Sequence, residues 1–104
     1  MGRIKSNGSL INTTARLNGE KLTLGISLSG SNKTWDWIAY VQRRSAPMSW
    51  RGYYTFTTRS GYVNSRSGSV RTLYGVKQRG IMRVRFELHE RGTGRKVVLN
   101  DRIR

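Results

Sequence analysis

The sequence predicts an all-β fold, a single antiparallel β-sandwich of about seven strands in preference to a small barrel. Three observations carry this. Apolar residues alternate with polar ones at a spacing of two, and no long helical period appears anywhere. Short runs rich in Val, Ile, Thr, Tyr and Trp are separated by Gly, Ser and Asn turn residues. The 104 residues suffice to fill one core and not two, so one domain is expected over 1–104. Residues 1–9 and 101–104 are expected to be loose ends.

The strands follow in chain order. Ile11, Thr13, Ala15 and Leu17 share one parity, and Leu22, Leu24, Ile26 and Leu28 share the next. Asn18-Gly19 lies between them, and both residues tolerate the positive φ that a type I′ hairpin turn requires. A third strand covers Trp35 to Val41; its parity puts Trp37 in the core and leaves Trp35 open. "WRGYYTFTT" supplies a fourth strand ending near Arg59, with Tyr54 and Phe56 turned to the core and Tyr53 to solvent. A single helical turn over "RSAPMSW" (44–50) can open at Pro47. Residues 59–69 form the longest turn-rich stretch and read as a mobile hairpin tip that carries Tyr62. Val70, Thr72 and Tyr74 mark a fifth strand. In the sixth, Met82, Val84, Phe86 and Leu88 point one way, and Arg83, Arg85, Glu87 and His89 the other. "RGTG" (91–94) then turns the chain into a last strand around Val97–Leu99.

Charge sets the class of partner. Twenty Lys and Arg against five Asp and Glu leave +15, and fifteen of the bases are arginine, whose planar fork suits phosphate and carboxylate. Such a field favours polyanions: nucleic acid, an anionic membrane face or an acidic protein assembly. There is no cysteine, so neither a disulfide framework nor a thiolate metal site is possible, which leans toward an intracellular protein. No apolar run approaches the ~20 residues of a membrane span, and no signal peptide is visible. The three sequons, at Asn7, Asn12 and Asn32, read as coincidence in a chain this rich in Ser, Thr and Asn.

Catalytic chemistry finds little to work with. One histidine permits neither a two-histidine metal motif nor a triad. Glu87 and His89 share a strand face but read as part of a solvated charged surface. Glu90 and Asp101 have no partner suggested by spacing, and Gly92-Thr93-Gly94 lacks the rest of any phosphate loop. We therefore expect no catalytic residues, no metal, no cofactor and no small-molecule substrate.

The bases are spread along the chain without long runs, which argues for charge displayed on a folded surface. Arg83 and Arg85 stand on the outer face of the sixth strand, with Arg71 on a nearby strand. Arg43 and Arg44 leave the end of the third, and Arg59, Arg66 and Lys77 decorate loops. Together they form the expected polyanion-binding surface, which would grip phosphates without reading sequence. Tyr53 and Tyr62 are the candidates for stacking on single-stranded bases.

Three segments, "DWIAYV" (36–41), "YYTF" (53–56) and "GIMRVRFEL" (80–88), resemble the immunoglobulin-like sandwich modules that include SKICH domains. Asp36, Trp37 and Ile38 match the family's opening strand motif; Gly80, Val84, Arg85 and Phe86 match its later one. Ala39 and Met82 depart from it, standing where the family usually has glycine and tyrosine. The resemblance covers residues 33–90 and implies a non-catalytic module that binds proteins or membranes. It gives Asp36 a structural role, opening its strand and either accepting hydrogen bonds from a neighbouring turn or pairing with Arg85. The function expected is a non-enzymatic cationic binding module, most simply for nucleic-acid backbone within a larger assembly. The alternatives are a structural adaptor on an acidic protein lattice or anionic membrane, and a secreted cationic toxin or antimicrobial.

Overall fold

The computed structural model describes residues 2–44, 52–78 and 80–103 and holds eight strands. β1 (Gly2–Ser6), β2 (Ser9–Asn18), β3 (Lys21–Ser29) and β6 (Ser69–Leu73) form one antiparallel sheet, in the order β1-β2-β3-β6. β4 (Trp35–Arg44), β5 (Tyr53–Val63), β7 (Met82–Glu90) and β8 (Lys96–Arg102) form the second, in the order β5-β4-β7-β8. β1 and β2 pack against β8, and β6 against β5, so the two sheets close on each other as a sandwich. The all-β sandwich expected from the alternation is the architecture observed, with β1 as the strand that the sequence reading lacks.

Period-two patterning builds the core directly. β3 turns Leu22, Leu24, Ile26 and Leu28 inward; β4 turns Trp35, Trp37, Ala39 and Val41; β7 turns Met82, Val84, Phe86 and Leu88. All twelve are buried, and side chains of the larger sizes stabilise by ~1.5–3 kcal/mol each when removed from water. Both tryptophans of β4 belong to this core. Trp35 also donates its Nε1–H to Ser9 Oγ at 3.3 Å, a link between the sheets.

The ends are part of the fold. β1 pairs with β2 from Gly2 opposite Thr13 to Ser6 opposite Ser9, so residues 2–9 are not loose. The turn between them is Asn7-Gly8, with φ of 49° and 83°, the doubly positive pattern of a type I′ hairpin. At the other end Asp101 and Ile103 are buried, and the Ile103 N–H donates to Met82 O at 3.0 Å. An amphipathic five-residue edge strand and a charged terminus simply carry too few apolar residues to announce themselves.

Three further expectations need correction. In the β2–β3 hairpin Asn18 pairs with Lys21, so the loop is Gly19-Glu20. Of these two only Gly19 has positive φ, at 64°, the sign pattern of a type II′ turn. Residues 59–63 belong to β5, paired from Arg59 opposite Ala39 to Val63 opposite Trp35. Only 64–68 remain as a turn, pinned where Asn64 Oδ1 accepts the N–H groups of Arg66 and Ser67. Tyr54, expected in the core, is 47% exposed. The register slips between Val41 and Gln42, leaving Phe56 as an extra residue in β5, and strand parity does not survive that bulge. Phe56 itself is partly buried against the core. The helical turn expected over 44–50 lies outside the described residues, save Arg44 at the end of β4.

Candidate polyanion-binding surface

Burying one face of β7 forces the other outward. Arg83, Arg85, Glu87 and His89 sit opposite Gln42, Tyr40, Ile38 and Asp36 of β4 on one side. On the other side they face Arg102, Asn100, Val98 and Lys96 of β8. Arg83 and Arg102 are thus like charges directly opposed across a strand pair, an arrangement that destabilises unless an anion neutralises it.

Arg83 is held rather than free. Its Nε donates to Gln42 Oε1 at 2.8 Å, and its guanidinium lies 3.7 Å from the centroid of the Tyr53 ring. Gln42 is steadied in turn through its Nε2–H to Thr55 Oγ1 at 3.1 Å. At the same end of the sandwich Arg43 Nη2 donates to Lys77 O at 3.1 Å, and its guanidinium covers Phe56 at 4.3 Å. Arg44 follows, exposed, its N–H donating to Ile81 O at 2.9 Å. Gly80 bends this loop with φ of 58°, a conformation glycine adopts freely, just before β7 begins. Arg43, Arg44, Lys77, Arg83 and Arg102 therefore gather at one end, where β4, β7 and β8 meet the loop before β7.

The other predicted bases do not join them. Arg71 lies on β6, in the opposite sheet, not beside Arg83 and Arg85. It turns toward the space between the sheets, 5.6 Å from the Trp37 ring. Gly61 makes room for it: a Cβ there would come within 2.7 Å of Arg71 Nη2 and 3.1 Å of the Trp37 ring. Arg59 sits on the neighbouring β5 and donates to Thr58 O at 2.7 Å. Arg66 is in the 64–68 turn at the far end of the molecule. Arg85 is tied to Glu87 at 3.3 Å, and Glu87 also meets Lys96 at 3.5 Å.

Asp36 is held from the neighbouring 91–94 turn, by Arg91, and not by Arg85. Arg91 Nη2 donates to Oδ1 at 2.8 Å and Nε to Oδ2 at 3.0 Å, a two-pronged grip. That hydrogen bonding holds the Asp36 carboxyl below the usual aspartate range and raises Arg91. The Arg91 guanidinium lies 5.3 Å from the Tyr62 ring, so both proposed stacking tyrosines already carry an arginine on one face.

Glu90 and Asp101 are also engaged. Glu90 is buried and accepts from Thr93 Oγ1 at 2.6 Å and from Asn7 Nδ2 at 3.1 Å. These donors, with Lys33 at 3.8 Å, hold it below the usual glutamate range. Asn7 therefore ties the first hairpin to the 91–94 turn, a role at odds with carrying a glycan. Asp101 accepts from Thr13 Oγ1 at 3.0 Å inside the sandwich, and burial raises its pKa. Among the described residues no cluster of His, Asp and Glu could hold a metal ion. No helix there is long and apolar enough to cross a membrane.

Sequence reasoning missed Arg102, because its segment reads as a loose end, and Arg91, because "RGTG" reads only as a turn. Placing either beside its neighbour needs the register between strands, and alternation within one strand does not supply that. Comparison with known family profiles, curated proteins and solved structures finds no match for the chain.

Proposed function

We propose that this protein is a non-enzymatic cationic module that binds the phosphate backbone of nucleic acid, within a larger assembly. One observation carries the reading: Arg43, Arg44, Lys77, Arg83 and Arg102 all lie at one end of the sandwich, with Arg83 and Arg102 on the outer face of the second sheet and Arg43 turned to its inner face over Phe56. Arg83 and Arg102 oppose each other there as a directly paired couple of like charges. The acids near that end are Glu20 in its turn and the inward Asp101, so the charge is left for a partner. The other sheet's outer face also carries bases, Arg3 on Asn12 and Arg16 opposite Thr23, but they flank an uncharged strip of Thr14, Gly25 and Ser27 and are not paired directly with one another. The strand motifs at Asp36–Ile38 and Val84–Phe86 support kinship with SKICH-like modules, which fits a binding role without catalysis.

The test compares two triple variants of equal charge. Arg44→Gln/Lys77→Gln/Arg102→Gln removes exposed bases at the convergent end; Arg66→Gln/Arg95→Gln/Lys96→Gln removes three at the far end. Binding to a labelled oligonucleotide is titrated against salt. The first variant should flatten the log–log slope by up to ~0.7–0.9 for each phosphate it no longer neutralises, and the second far less. Equal effects would mean that net charge, not a site, does the binding. No binding at low salt, with partners captured from nuclease-treated lysate or on anionic vesicles, would overturn the nucleic-acid reading in favour of an adaptor.

A further inference from the structure

The four sheet edges of this sandwich are not alike. β1 and β6 are five residues each, with Arg3 and Lys5 on one and Arg71 on the other. β8 is seven residues and carries Lys96, Asp101 and Arg102. Short length and charge are how natural sheets discourage pairing at an edge. β5 is different: eleven residues, "YYTFTTRSGYV", with Arg59 its single charge and no proline. Its Thr, Tyr, Phe and Val content favours extended pairing, and Thr55, Thr58, Ser60 and Tyr62 are exposed along it. Among the described residues, the backbone of this strand bonds to β4 and, through Thr58 O, to the Arg59 side chain, which leaves its outer row open.

We propose that β5 is a strand-addition site for an extended acidic peptide. The peptide would extend the second sheet beyond β5, satisfying main-chain donors and acceptors in alternation, which a phosphodiester chain with no main-chain donors cannot do. Charge chooses the occupant. Arg59 on β5 and Arg71 on the facing β6 flank the edge, and Arg43 lies beside its start over Phe56. The one carboxylate opposite the strand, Asp36 across from Tyr62, is already gripped by Arg91. A second copy of the chain would bring two +15 bodies together, so glutamate or aspartate side chains on the added strand are the complementary choice. On docking, Arg59 leaves Thr58 O for a peptide carboxylate.

Amide hydrogen exchange on the whole protein, with a synthetic decapeptide alternating Glu with Val and Thr, tests this. Amides of residues 57–63 that face away from β4 should slow by about tenfold or more at saturation. A Gln-for-Glu version should bind at least ~10-fold more weakly. Arg59→Pro and Ser60→Pro give a second readout: of two adjacent amides one faces β4, so one variant keeps its ladder, folds, and loses the peptide. Protection away from β5, or equal binding by the folded proline variant, overturns the proposal. So does protection of β5 that depends on protein concentration alone, or that an oligonucleotide produces equally well.

Discussion

At the scale of single residues, position relative to the bulge separates core from surface better than residue type does. Phe86 and Tyr54 are both aromatic residues on alternating strands, yet one is fully buried and the other 47% exposed. Phe86→Ala should cost about 3–5 kcal/mol in urea denaturation, through lost transfer energy and the cavity left behind. Tyr54→Ala should fall within the range of ordinary surface substitutions, under ~0.5 kcal/mol. A large loss at Tyr54 would place it in the core after all. Asp101 gives a pH signature. Burial raises its carboxyl above the usual value, so the native state holds the proton more tightly than the unfolded chain. Its contribution is therefore favourable below the ordinary aspartate pKa of about 3.9 and is lost as pH rises through the raised value. Asp36 and Glu90, held low by Arg91 and Thr93, act oppositely and lose their contributions as pH falls. Asp101→Asn should thus gain stability relative to wild type as pH rises from acid to neutral, seen in paired thermal melts. A difference that stays constant with pH would mean that Asp101 titrates as it does in the unfolded chain.

Among the elements, β7 is legible in full from the sequence and β1 not at all, and the reason is packing. β7 lies inside its sheet between β4 and β8, so every second side chain must be apolar and the period appears cleanly. β1 is an edge strand that contributes only Ile4 to the core, and its turn resembles a chance Asn-Gly-Ser sequon. The convergent basic end is half legible for the same reason. Alternation puts Arg83 and Arg85 on one face, but pairing Arg83 with Arg102 requires the register between two strands. The first hairpin can be tested through its turn. Gly8 sits at φ 83° with open space where a Cβ would go, so Gly8→Ala meets a backbone penalty and no clash. It should destabilise by ~1–2 kcal/mol in chemical denaturation. Unchanged stability would show that β1 is held by its ladder with β2 without help from the turn.

For the whole molecule the governing quantity is +15 on 104 residues, with Asp36, Glu87, Glu90 and Asp101 engaged by bases or buried donors and little else to offset the rest. Self-repulsion of that size disfavours the compact state at low ionic strength, and added salt relieves it. A bound polyanion relieves it too, but salt weakens that partner, because counterions released into a saltier solution gain less entropy. The two effects have opposite sign, which makes a diagnostic. The free protein should melt at higher temperature as salt is added. In the presence of an oligonucleotide at about 100 times its dissociation constant, the fold gains ~2.7 kcal/mol at low salt. That corresponds to a rise of roughly 10 °C or more for a domain this size. Adding salt should then lower the melting temperature until the two curves meet. Curves that coincide at every salt concentration would mean that the oligonucleotide binds folded and unfolded chains alike, as diffuse charge would, and that the folded arrangement of Arg43, Arg44, Lys77, Arg83 and Arg102 contributes nothing of its own.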